Sequence, residues 1–202
     1  MIDLASIPEG YGISRDGIIH PVSCVSVTVG LDVTDAGGEI KGSIEQPAES
    51  LLRNAGKVIE AMVDHSNSKG IDEYPSGTDR SLQWRRSGNY WAPRDTENAY
   101  MQFGTGTTAV TVRDFTLVTI VYDARPTITL TTTSTNSTIK IVGTVTATGT
   151  ATISEIHQRM TPVKNTANTT CKIIVARDVF NPGLSVVSGD IITGKYIFSF
   201  DV

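Results

Sequence analysis

Residues 23 to 33 alternate in strict period two, with Val25, Val27, Val29, Leu31 and Val33 on one side and Cys24, Ser26, Thr28, Gly30 and Asp32 on the other. That alternation predicts a strand with one buried face. Asp35-Ala36-Gly37-Gly38 supplies turn chemistry, and Ile40 to Ile44 is expected to return as the partner strand of a hairpin.

The period then changes. Leu51, Leu52, Ala55, Val58, Ile59, Met62 and Val63 recur at helical spacing, while Arg53, Asn54, Lys57, Glu60 and Asp64 fill the opposite face. With Pro47 at its entry, this predicts one amphipathic helix over about 48–64, its apolar stripe packed on a sheet. From 65 to 99 no period holds, and turn and breaker combinations such as Tyr74-Pro75-Ser76-Gly77 predict a long irregular loop.

Beyond Ala99 the pattern is β to the end. Strands are expected at Ala99–Phe103, Leu117–Tyr122, Ile128–Leu130, Ile139–Ala147 with a bulge at Gly143, Ala151–Ile156 and Cys171–Val179. The last is the clearest, with Tyr196, Phe198, Phe200 and Val202 on one face and Lys195, Ile197, Ser199 and Asp201 on the other. Many short strands and a single helix predict a mainly β fold: an antiparallel, jelly-roll-like β-sandwich over 23–202, preceded by an N-terminal arm at 1–22.

The 202 residues are 39% hydrophobic and only 19% charged. Threonine fills much of the difference, occupying 12 of the 26 positions from Thr127 to Thr152, which suits half-buried pleated surfaces. The net charge of −4, with both signs mixed, leaves no electrostatic footprint for nucleic acid and no polybasic membrane anchor. The N-terminus has no basic region leading into an apolar run, so synthesis in a cytoplasm without a signal peptide is expected. Cys24 and Cys171 could pair across neighbouring strands, but that setting favours reduced thiols.

The cluster Gly104-Thr105-Gly106-Thr107-Thr108 invites a phosphate-loop reading. A phosphate loop, however, continues into Lys-Ser/Thr and a helix, and here Ala109-Val110-Thr111-Val112 follows. The expectation is therefore a tight turn after the strand ending at Phe103. His20, His65 and His157 have no ligand spacing, so no metal or cofactor is expected. No nucleophile elbow is present. An enzyme would need a pocket bringing His157 or Asp114 beside other titratable groups, and a non-enzymatic protein is expected.

The segment from 65 to 99 is the place where binding competes with packing. Tyr74, Trp84, Arg85, Arg86, Tyr90, Trp91 and Arg94 are of the types enriched in interface hot spots. Its five bases (Lys69, Arg80, Arg85, Arg86, Arg94) are matched by five acids (Asp72, Glu73, Asp79, Asp95, Glu97), which favours protein docking over nucleic acid. The competing reading has the two tryptophans folding back over one end of the sandwich.

Three segments recur together in a known pattern: Gly104-Thr105-Gly106-Thr107-Thr108 with Asp114 to Leu117, Ile153-Ser154-Glu155-Ile156, and Arg177-Asp178-Val179-Phe180. With Ser188-Gly189-Asp190 and the terminal Tyr196-Ile197-Phe198-Ser199-Phe200, the chain from Val25 to Val202 resembles small β-rich structural proteins of tailed bacteriophages and related prokaryotic viruses. It departs from that pattern at His157-Gln158-Arg159-Met160, where a glycine and an apolar residue are expected and where the strand's end is in question. The resemblance implies a virion protein with no enzymatic activity that assembles in many copies with itself and other virion proteins, in the tail, baseplate or neck. The alternatives are a capsid decoration or head-fibre protein, and a receptor- or glycan-binding module whose exposed Trp and Tyr stack on sugars.

Overall fold

Each alternating segment that falls among the described residues is a strand. The computed structural model describes residues 11–13, 19–21, 25–48, 69–72, 79–82, 99–111, 119–133, 136–164 and 170–201. In chain order the strands are β1 (Tyr11–Ile13), β2 (Ile19–Pro21), β3 (Val25–Thr34), β4 (Ile40–Pro47), β5 (Lys69–Asp72), β6 (Asp79–Leu82) and β7 (Ala99–Gly104). They continue as β8 (Ile120–Ala124), β9 (Pro126–Thr132), β10 (Asn136–Thr146), β11 (Ala151–Lys164), β12 (Thr170–Val186) and β13 (Ile191–Asp201).

Nine of these strands make two antiparallel sheets, one in the order β4-β3-β13-β10-β9 and one in the order β12-β11-β7-β8. Two-stranded ribbons, β1-β2 and β5-β6, account for the others. The second ribbon lies within the segment read from sequence as an irregular loop. Its strands pair Ile71 with Arg80 and Gly70 with Ser81, and with four residues each they are too short to show a period.

The two large sheets share one core. Val29, Leu31 and Val33 of β3 and Ile192 and Tyr196 of β13 pack in a single cluster with Met101 and Phe103 of β7, Ile153 and Ile156 of β11 and Phe180 of β12. Burying a side chain of this size stabilises the fold by about 1.5–3 kcal/mol relative to leaving it in water. Two glycines let the sheets come this close. Gly143 and Gly194 face each other across β10 and β13, and a Cβ on Gly194 would lie 2.6 Å from Met101 Sδ and 2.7 Å from Phe103 Cε1.

The β3–β4 hairpin follows its turn chemistry. Asp35 Oδ1 accepts hydrogen bonds from the amides of Gly37 (2.8 Å) and Glu39 (2.9 Å), and Gly38 supplies the left-handed φ of +89° that a side chain would resist.

Three sequence expectations are corrected. Gly143 is not a bulge: the β10–β13 register runs unbroken from Asn136 to Thr146. Ile139, Ile141, Gly143, Val145 and Ala147 all have the same parity, so an uninterrupted strand already places them on one face. The strand that begins at Ala151 does not end near Ile156 but continues to Lys164, because His157 and Gln158 are sheltered there in a β context. The Gly-Thr cluster is not a tight turn either, since β7 ends at Gly104 and its partner β8 begins only at Ile120. The helix expected over 48–64 lies outside the described residues apart from Ala48, and no helix occurs among the described ones.

Candidate functional site

The outer face of the four-stranded sheet carries a line of polar side chains. On β11, Ile156 turns inward to the core, so by period two Glu155, His157 and Arg159 turn outward. The register sets Arg177 of β12 and Gln102 of β7 on either side of His157, and Asp123 of β8 beyond Gln102. Arg177, His157, Gln102 and Asp123 thus form one row across all four strands. Arg177, His157 and Gln102 are buried despite their polarity, as is Glu155 on the same face.

Glu155 organises the row. Arg177 reaches diagonally from its place opposite His157 and donates from Nη2 (2.8 Å) and Nε (3.1 Å) to Glu155 Oε2. The other carboxylate oxygen, Oε1, accepts the backbone amides of Gly106 (3.0 Å) and Thr119 (3.3 Å). Arg177 Nη2 also donates to the carbonyl of Thr108 at 3.1 Å, and the amide of Thr105 donates to the Thr119 carbonyl at 3.1 Å. Both ends of the 105–119 connection are therefore tied to the same buried ion pair.

This explains Gly104. A Cβ on Gly104 would run into the Thr119 carbonyl and sit 2.5 Å from Glu155 Oε1. The cluster does cradle an anion with a backbone amide, as phosphate loops do, but the anion is the chain's own carboxylate. Desolvating two charges is costly, and the guanidinium together with the two amides offsets that cost by filling both carboxylate oxygens.

His157 extends the network in the other direction. Its Nε2–H donates to Gln102 Oε1, and Gln102 Nε2 donates to Asp123 Oδ1, which fixes the imidazole tautomer. Burial, reinforced by the neighbouring Arg159 and Arg177 charges, holds its pKa well below the ordinary 6.5, so the ring is neutral. Arg159 lies over the Tyr100 ring, 4.3 Å from its centroid, as a cross-strand cation–π pair. On the core side, Tyr196 donates to the Ile156 carbonyl at 3.3 Å, and burial next to Asp178 raises its phenol well above 10.

A glutamate, a histidine and an arginine so close together could serve acid–base chemistry if a substrate reached them. Here Glu155 and His157 have no exposed surface, and their polar contacts run to backbone and neighbouring side chains. The arrangement fastens a loop. A second polar cluster acts in the same way at one end of the sheets, beside a groove of about 620 Å³ between the turns at Asp35–Ile40 and Val187–Asp190. There Asp190 accepts from Lys41 Nζ (2.6 Å) and the Val187 amide (2.9 Å), and these hydrogen bonds, led by Lys41, lower its pKa. Its backbone clasps Ala147 at 2.7 Å.

Tyr74, Trp84, Arg85, Arg86, Tyr90, Trp91 and Arg94, the contact residues expected from sequence, lie outside the described residues, as do Asp114 and Cys24. Among the described residues there is no group of three or more His, Cys, Asp or Glu able to hold a metal, and no helix long and apolar enough to cross a membrane. Glu155 and Arg177 stand in the sequence as parts of two separate segments, with nothing in their spacing to pair them. The available signal was a charge set among strand residues: Glu155 between Ile153 and Ile156, and Arg177, with Asp178 beside it, between Ile173 and Val179. Compared with protein-family models, with curated proteins and with solved structures, the chain matches none.

Proposed function

We propose that this chain is a non-enzymatic structural protein of a virus particle, a β-sandwich that acts by assembling in many copies in the tail, baseplate or neck of a tailed phage. The observation that carries the reading is the fate of the three recurrent segments. Gly104 to Thr108, the segment around Glu155 and the segment around Arg177 meet at one buried ion pair. Residues that recur for catalysis are held open to a substrate, whereas these are spent on closing the fold. Virion resemblance and non-enzymatic character thus rest on the same residues.

The lightly charged, threonine-rich β9 and β10 support many-copy use, since neutral polar surface is cheaper to desolvate than charge. The test is direct. Antibody raised against the purified chain is applied to particles released from cells that carry the gene, and the particles are imaged. Labelling at a regular position on the tail or neck is the expected result. Labelling of the capsid shell would favour the decoration reading, and signal confined to soluble protein, with bare particles, would end the proposal.

A further inference from the structure

Among the described residues, β9 alone of the four outer strands of the two sheets is undefended. The β4 edge carries Lys41, Glu45 and Pro47 and a register shift beside Val33. The β8 edge carries exposed Asp123 and a register shift at Phe103, and β12 carries Arg177, Asp178 and Pro182 with several shifts. Charges, prolines and bulges of this kind are how sheets avoid joining edge to edge. By contrast β9, Pro126-Thr127-Ile128-Thr129-Leu130-Thr131-Thr132, has no charge and an unbroken register with β10, and its proline is at the first position, where it blocks nothing. Beyond Pro126 every residue is exposed, including Ile128 at 55% and Leu130 at 65%.

We propose that β9 pairs antiparallel with β9 of a second copy of this chain about a two-fold axis at Thr129, joining two five-stranded sheets into one. The pattern Thr127-Ile128-Thr129-Leu130-Thr131 reads alike in both directions. In that register Ile128 of each copy faces Leu130 of the other, Thr127 faces Thr131, and Thr129 faces itself. A two-fold contact requires this self-complementarity. Charge permits it as well. The nearest lysine, Lys140, sits opposite Thr129 on β10, so the two copies' lysines would be three strand spacings apart, about 14 Å, beyond the Debye length of about 8 Å at physiological salt. Arg125 would meet the neutral Thr133.

The contact is small. Seven residues make an edge about 24 Å long and about 10 Å deep, roughly 250 Å² per copy, against the roughly 800 Å² per partner of a standard interface. The pair is therefore weak in isolation, with a dissociation constant on the order of 0.1–1 mM, and becomes effective when copies are held together. It concerns purified chains, and stands or falls whether or not the protein belongs to a virion.

Sedimentation equilibrium up to about 1 mM, with far-UV circular dichroism to check folding, provides the test. The wild type is expected to dimerise, and Ile128→Lys and Leu130→Glu each to weaken dimerisation about tenfold or more, since each places a charge against an apolar partner. Mixing Ile128→Lys with Leu130→Glu sets lysine against glutamate and should recover most of the affinity. Mixing Ile128→Lys with Ile128→Glu should not, because those positions are not opposed. A wild type that stays monomeric, a dimer indifferent to both substitutions, or equal recovery in the two mixtures would each overturn the proposal.

Discussion

Arg177 and Glu155 stand on adjacent strands, β12 and β11, offset by two residues, and their side chains close that offset as a buried ion pair with Nη2 2.8 Å from Oε2. The pair does more than join two strands. Through Gly106, Thr108 and Thr119 it holds both ends of the 105–119 connection against the outer face of the sheet. The carboxylate accounts for Gly104, whose Cβ position it occupies together with the Thr119 carbonyl.

The glycines should differ sharply in tolerance. Gly104→Ala is expected to cost about 2 kcal/mol or more, because the new methyl meets a backbone carbonyl and a buried carboxylate that cannot withdraw. Gly194→Ala, pressed against Met101, Phe103 and Ile156, should cost about 1–3 kcal/mol. Gly149, with nothing near its Cβ position, should accept alanine within about 0.5 kcal/mol. Urea denaturation of the three variants checks the order, and equal costs would contradict the packing described.

His157 makes stability depend on pH. Its pKa is lowered in the folded protein, so the unfolded chain takes up a proton that the native state refuses. The contribution is complete above about pH 6.5 and is lost as the pH falls below it. Denaturation midpoints at about pH 7.5 and about pH 5.5 should therefore fall for wild type and change less for His157→Gln. Parallel falls in the two proteins would assign the acid sensitivity to other groups.

The aromatic segment gives a separate expectation, drawn from sequence. Replacing Trp84 and Trp91 with alanine should weaken assembly while leaving the chain folded, as judged by particle reconstitution alongside circular dichroism. Undiminished assembly would remove these residues as contacts. Loss of folding would instead assign them to covering the core.

Much of the β architecture was legible because its signal is local. A period of two is visible in Val25 to Val33 and in Tyr196 to Phe200 without knowledge of partners, and Asp35 to Gly38 announce their turn. Sheet order was not legible, since the pairing of β13 with both β3 and β10 joins residues far apart in sequence. Gly143 shows the same limit. Its role is to admit Met101 from the opposite sheet, and a sequence shows the missing side chain but not what fills the gap. The candidate site was hidden for a related reason. In the sequence Arg177 has Asp178 as its nearest acid and nothing links it to Glu155 until two strands pair, and the Gly-Thr cluster cannot reveal that its anion is supplied by its own chain.

A double-mutant cycle on Glu155→Gln and Arg177→Gln tests the central claim, that this buried pair fastens the 105–119 connection to the sheet. Each single substitution is expected to cost about 3–5 kcal/mol, because it strands a buried partner. The double mutant should cost at least about 2 kcal/mol less than their sum, and hydrogen exchange at Gly106 should quicken in all three. Additive costs, with a coupling within about 0.5 kcal/mol of zero and an unchanged Gly106 amide, would contradict it.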